Sequence, residues 1–107
     1  LGLLGFGRTR TVDLPVDGQG RIDARRLPPL TGPAIVCIQA GNVNTGAFDP
    51  APAICDWAQA AGGWVHVDGA FGLWARATRD YAAQADGYER ADSWATDAHK
   101  WLNVPYD

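Results

Sequence analysis

Two apolar runs of strand length, residues 34–40 (AIVCIQA) and 64–68 (WVHVD), bracket a segment whose apolar positions recur at helical spacing. The first run has no polar alternation, which is the pattern of a strand covered on both faces. Between the runs, Asp49 reads as an N-cap with Pro50 at the first helical position, so a helix is predicted to reach about residue 61. Ile54, Trp57, Ala58 and Ala61 share one stripe of that helix, and Gly62 and Gly63 stop it. Strand, helix and strand with short joins make a βαβ unit, which predicts two parallel strands and a right-handed crossover.

The flanking pattern is less regular. Residues 1–7 read as the end of a helix stopped by glycines. Residues 9–14 (TRTVDL) alternate polar and apolar side chains, which predicts a half-buried strand. Residues 17–20 (DGQG) are a turn by composition. Asp23 is placed to cap a short helix over residues 24–27, closed by Pro28 and Pro29. A weaker helix is predicted over 81–90 and a third short strand over 91–96. The result is an α/β pattern with a parallel sheet. In such sheets ligands lie beyond the carboxyl ends of the strands. Residues 42–46, Asp68 and the segment around Lys100 each follow the carboxyl end of a predicted strand, so three polar stretches are expected to converge on one edge.

Composition narrows the setting. The chain has 107 residues, no methionine, 47% hydrophobic and 20% charged residues, which suits one small domain or a piece of a larger one. Both ends read as cut. A net charge of -3 gives no reason to expect nucleic acid or an anionic membrane as partner. No apolar run approaches the roughly eighteen residues of a spanning helix. Residues 1–6 lack the basic stretch and cleavage site of a signal peptide. Cys37 and Cys55 lie far apart inside apolar segments, the pattern of buried thiols in a cytoplasmic protein.

The candidate chemistry sits near the end of the chain. Lys100 follows His99 and has Trp94, Trp101 and Leu102 for near neighbours in sequence. Such a lysine can be drawn into a dry pocket, where a neutral amine acts as a nucleophile or forms a Schiff base. It can equally lay its stem on the core and keep its charge in water. Asp68 ends an apolar strand and is followed by Gly69, Ala70, Phe71 and Gly72, mostly small residues that let a planar ligand approach. Its carboxylate is expected to be partly buried and partnered, or else to cap the following loop. His66 shares its face of the strand and also fits a hydrogen-bonded core histidine. Asn42, Asn44 and Thr45 can serve a ligand or satisfy their own loop. Gly41 and Gly46 have phosphate-loop spacing, but no Lys-Ser/Thr follows. Asp49, Asp56 and Asp80 read as caps and solvated faces.

Two site chemistries fit this edge. In one, Lys100 holds an aldehyde cofactor as a Schiff base and Asp68 faces a protonated pyridine nitrogen, the arrangement that pyridoxal phosphate chemistry needs. In the other, His66, Asp68 and His99 form a two-histidine, one-carboxylate triad for non-haem iron. The iron reading leaves Lys100 and its aromatic setting unexplained.

Three motifs carry a resemblance. GNVNTGAFDP at 41–50, HVDGA at 66–70, and DS at 92–93 followed by DAHKWL at 97–102 resemble, in order and spacing, the pyridoxal phosphate-dependent (group II) amino acid decarboxylases. The resemblance implies the mainly parallel-sheet, cofactor-binding large domain of the aspartate aminotransferase superfamily (fold type I). Residues 1–107 would be a fragment of it, without the N-terminal part and the C-terminal small domain, and inactive alone. By matched position, Lys100 would be the Schiff-base lysine and Asp68 the partner of the ring nitrogen. Ala70 would pack against the ring, His99 would lie near the phosphate or substrate, and Thr45 near the ring's polar edge. Lys100-Trp101-Leu102 looks like the aromatic-amino-acid branch. The implied protein is a cytoplasmic homodimeric lyase acting on a small-molecule amino acid, with an aminotransferase or aldolase-type lyase as the runner-up. Gly69 departs from the family, where alanine is common. Asp97 stands where asparagine often occurs. An acid near the phosphate is unfavourable, so Asp97 would turn toward His99 or Lys100, and it carries no assigned role.

Overall fold

The computed structural model describes residues 2–7 and 9–105, and in it the βαβ unit is present. Strand β1 (Ile35–Gln39), helix α1 (Ala51–Gln59) and strand β2 (Trp64–Asp68) follow one another, and strand β3 (Ser93–Ala95) pairs with β2. The three strands are parallel, in the order β1-β2-β3. The register sets Gln39 beside Asp68 and Asp68 beside Ala95, so the three carboxyl ends lie side by side.

Side chains alternate across a strand, and the two faces of this sheet differ. Val36, Ile38, Val65 and Val67 are buried in one cluster with Ala51, Ile54, Cys55 and Ala58 of α1. Ile35, Cys37, Gln39, Trp64 and Asp68 alternate with them and are exposed. The expectation that β1 is covered on both faces is therefore wrong, because an unbroken apolar run reports what a strand can bury, not what covers it. Cys37 is exposed for the same reason, while Cys55 is buried as expected.

Helix α1 is amphipathic as predicted, with Ile54 and Ala58 fully buried and the Trp57 indole donating to the Pro28 carbonyl at 2.9 Å. Its start differs from the prediction. Pro50, not Asp49, occupies the cap position, and no side chain caps the helix. The Asp49 carboxylate is buried and accepts the backbone N–H groups of Ile22 and Gln39, both at 2.7 Å. It thus joins a distant loop, the end of β1 and the entry to α1. The Tyr88 hydroxyl donates beside it, 2.6 Å from the Gln39 carbonyl and 2.9 Å from the Asp49 carbonyl. Burial pushes the Asp49 carboxyl above its usual range, against the two N–H bonds that favour its charge. Burial likewise raises the Tyr88 phenol.

Other predicted elements are reshaped. Residues 9–14 form no strand and are mostly exposed; the nearest pairing is an isolated antiparallel bridge between Val16 and Ile22. Alternation alone made no strand where no neighbour offers a ladder. The turn at 17–20 is present, with the Asp17 carboxylate accepting the N–H groups of Gln19 and Arg21. Asp23 caps a short 3-10 turn, Ala24–Arg26, by accepting from Arg25 N–H. The opening segment is a 3-10 turn, Gly2–Leu4, while Leu1 lies outside the described residues. The helix expected over 81–90 is two 3-10 turns, Ala82–Ala85 and Tyr88–Arg90, broken at Gly87. Gly87 has φ +86, and a Cβ there would lie 2.3 Å from Pro52 Cγ, so the backbone turns away from helix to pack on α1.

Removing the Asp49 carboxylate should be costly, because it strands two inward-facing N–H groups. Asp49→Ala is expected to lower the unfolding free energy by about 2–4 kcal/mol in urea titration, and Asp49→Asn by less, since an amide can still accept one of the two bonds. The pH dependence has a definite sign. A folded-state value above the ordinary 3.8 means that the folded protein holds this proton more tightly than the unfolded chain. That contribution is complete below the unfolded value and is lost as pH rises through the folded one. Unfolding measured across this acid range should show the contribution in the wild type and lack it in Asp49→Asn.

Candidate functional site

The loops leaving the sheet's carboxyl edge are stitched together by backbone. Ala40 N–H donates to the Asp68 carbonyl at 2.9 Å, and Gly69 N–H to the Ala95 carbonyl at 2.8 Å. The Thr96 hydroxyl donates to the Gly69 carbonyl at 3.2 Å. Glycines allow this closeness. A Cβ on Gly69 would stand 2.5 Å from Leu73 Cβ and 2.9 Å from the Ala95 carbonyl oxygen. One on Gly72 would stand 2.5 Å from the Ala40 carbonyl oxygen and 2.8 Å from Gly41 Cα. The space these glycines free is filled by backbone and by Leu73, not held open for a planar ligand as expected. The Gly69 departure thus has a local reason.

Asp68 closes β2 at this edge. It is exposed, contrary to the expected partial burial, because it lies on the uncovered face of the sheet. One carboxylate oxygen accepts the Ala70 N–H at 3.1 Å, which fixes the first turn of the loop. Ala70 is half-buried, and the Phe71 ring follows.

Lys100 lies on helix α2 (Ala98–Trp101), two residues beyond β3, rather than at the end of a strand. Its Nζ is 2.6 Å from Asp97 Oδ2 and 3.7 Å from the centre of the Phe71 ring, a cation–π contact. The Lys100 bond, more than the neighbouring His99, holds the Asp97 carboxyl below its ordinary range. His99 Nε2 is 3.8 Å from the same carboxylate. The expected dry pocket between tryptophans is not formed. The Trp94 indole N–H donates to the Tyr88 carbonyl at 2.8 Å, and Trp101 is about half exposed. The aromatic partner of Lys100 is Phe71, which the sequence reading overlooked. Its signal was faint: one ring among small residues, brought under the lysine by a contact about thirty positions away.

The three predicted stretches meet unequally. The 68–72 loop and the 97–100 segment touch through Phe71 and Lys100. The third meets them through backbone, at Gly41 against Gly72. Thr45 faces another way: its hydroxyl donates to the Gln19 carbonyl at 2.7 Å. Asn42 accepts the N–H groups of Asn44 and Thr45, so this loop largely satisfies itself. His66 is hydrogen-bonded on the sheet face, its Nδ1 2.8 Å from Ser93 Oγ. Among the described residues no three His, Cys, Asp or Glu side chains gather closely enough for a metal ion. The iron triad of His66, Asp68 and His99 is therefore not assembled: the first turns to Ser93 and the last to Asp97.

Comparison with known proteins bears on the whole arrangement. Residues 30–107 match the family model described as the pyridoxal-dependent decarboxylase conserved domain. An aromatic-L-amino-acid decarboxylase of Bacillus atrophaeus is 39% identical over 75 residues, 70% of this chain and 16% of that protein. The acidic amino acid decarboxylase GADL1 of Bos taurus is 33% identical over an aligned 107 residues, 92% of this chain and 20% of that protein. Among solved structures, mouse CSAD in apo form superposes with a TM-score of 0.89 and 32% identity, over 99% of this chain and 24% of its own. Oryza sativa TDC with PLP and tryptamine gives a TM-score of 0.63 and 37% identity, over 68% of this chain and 15% of its own. The chain spans about a sixth to a fifth of the length of these curated relatives. The α/β architecture with its parallel sheet is shared with these structures.

The tight contact at Gly69 can be probed by packing alone. Gly69→Ala is expected to destabilise the protein by about 1–3 kcal/mol, since Leu73 Cβ and a backbone oxygen must both give way. Adding Leu73→Gly, which removes that Cβ, should recover part of the loss, leaving the share due to Ala95. A double-mutant cycle in urea unfolding reads this coupling, and strictly additive losses would contradict it.

Proposed function

Because this chain belongs to the pyridoxal-dependent decarboxylase family, we propose that it is a piece of the cofactor-binding large domain of an enzyme that removes the α-carboxylate of an amino acid. The observation that carries the reading is one amine and one carboxylate on neighbouring connections at the carboxyl edge of a parallel sheet. Lys100 lies over Phe71, and Asp68 stands three residues before that ring. These donors suit the group. An aldehyde on a pyridine ring calls for a primary amine at one end and an anionic acceptor at the ring nitrogen. Ala70, small and half-buried, donates its N–H to Asp68 and is the residue that would pack against the ring.

In this reading Lys100 holds the cofactor covalently. Asp68 keeps a proton on the ring nitrogen through the carboxylate oxygen that Ala70 N–H does not occupy. His99 lies near the substrate or the phosphate. Thr45 would reach the ring's polar edge only by turning its hydroxyl away from the Gln19 carbonyl to which it donates. When bound, the pyridoxal ring supplies the electron sink that makes loss of the carboxylate feasible. A homodimeric, cytoplasmic enzyme belongs to the same proposal.

The proposed substrate is an aromatic amino acid, supported by Lys100-Trp101-Leu102 and by the higher identity to the Bacillus atrophaeus decarboxylase. A second reading, an acidic amino acid, is favoured by the longer overlap with GADL1 and mouse CSAD. Carbon dioxide release from tryptophan, tyrosine and their hydroxylated relatives, set beside glutamate and aspartate, separates the two. Turnover of the acidic substrates alone would carry the second reading.

Two variants of the whole protein test the site. Lys100→Ala should abolish the borohydride-trappable cofactor adduct and its visible absorption. Asp68→Ala should keep some adduct and lose roughly ten- to a hundredfold in turnover from the lost charge-assisted bond alone. Full activity in Lys100→Ala, with activity abolished by EDTA, would overturn the cofactor assignment.

A further inference from the structure

Lys100 is held from two sides by residues that the reading above leaves without a task. Asp97 precedes the first residue of α2, where an aspartate commonly accepts a bond from the helix's opening N–H groups. Its side chain makes no such bond. It reaches along the helix instead and takes Lys100 Nζ at 2.6 Å. The Phe71 ring lies against the same nitrogen. The Lys100 and Asp97 side chains are 25% and 37% exposed, so solvent reaches the pair without separating it.

We propose that Asp97 is a positioning residue for Lys100: it keeps the ammonium docked on Phe71 until an aldehyde cofactor takes the nitrogen, and so sets the rate of that capture. The capture role rests on Lys100 being the cofactor's lysine; the docking itself does not. In balance, the ammonium first gives one proton to solvent, and the freed lone pair bonds to the aldehyde carbon. The aldehyde oxygen leaves as water with one nitrogen proton and one from solvent, the third staying on nitrogen. Before that, Nζ must leave the Asp97 carboxylate and lift off the ring. A bond to a carboxylate is roughly twice as strong as one to a neutral acceptor, so Asp97 is the stronger of the restraints that an amide substitution can weaken.

The test uses the whole protein freed of cofactor. Pyridoxal 5′-phosphate is added in stopped flow, and the rise of visible absorption is followed for wild type, Asp97→Asn and Asp97→Glu. Asp97→Asn should capture about three- to tenfold faster, the range for losing a partly exposed charge-assisted bond. Asp97→Glu keeps the charge and should stay within about twofold of wild type. Added salt should speed the wild type toward the Asp97→Asn rate, an effect that a merely structural role would not produce.

A second arm needs no cofactor: acylation of Lys100 by an N-hydroxysuccinimide ester, read by peptide mass mapping, should follow the same order. Unchanged acylation and capture in Asp97→Asn would overturn the proposal, as would equal slowing in both variants. If acylation follows Asp97 but the wild type gains no visible absorption, the docking is upheld, and the cofactor reading and the capture role fall together.

Discussion

A buried aspartate holds this fold together. The Asp49 carboxylate accepts two backbone N–H groups from segments separated from it by 27 and 10 positions, and Tyr88 closes the same knot from 39 positions away. Moving a carboxylate out of water costs several kcal/mol before its bonds offset that loss. The geometry therefore persists only if the surrounding loop, strand end and helix entry stay in place together. That mutual dependence lets a chain of 107 residues with a small core define where β1 stops.

Fixing the end of β1 fixes the candidate site. The Ala40 carbonyl packs where a Gly72 Cβ would be, and Gly69 reaches Ala95 across the next strand. The loop bearing Asp68, Ala70 and Phe71 is thus seated largely on backbone, with Leu73, the Thr96 hydroxyl and the Asp68 carboxylate adding side-chain contacts. Lys100 then meets a ring whose position is set by the sheet edge. Rigidity comes from the strands and the charge comes from one short helix.

What could be read from the sequence was mostly local. The βαβ unit was legible because its periods, its Pro50 and its paired glycines lie within one continuous stretch. Asp49 was misread for the same reason: Asp-Pro before a helical stripe looks like a cap, whereas its real partners are distant backbone groups that leave no mark on the pattern. The predicted strand ends placed Asp68 and the Lys100 segment at one edge, where the Phe71–Lys100 contact now joins their loops. Asp97 turns toward Lys100 and His99 as expected, but nothing in the motifs revealed that Phe71, not a tryptophan, would meet the lysine. The 81–90 segment failed as a helix because Gly87 serves its packing on Pro52 rather than its own propensity.

The uncovered face of the sheet has a consequence for what can pack on it. Parallel sheets are ordinarily sandwiched between two layers. Here Ile35 and Trp64 stand 59% and 52% exposed beside the Cys37 thiol. Among the described residues, β1 and β3 also each leave one side of the ladder unpaired. Ile35 and Trp64 form an apolar corner of a face that Gln39, His66 and Asp68 otherwise make polar. The chemistry sits at the end of the strands, while their flank offers exposed apolar side chains on which another layer can pack.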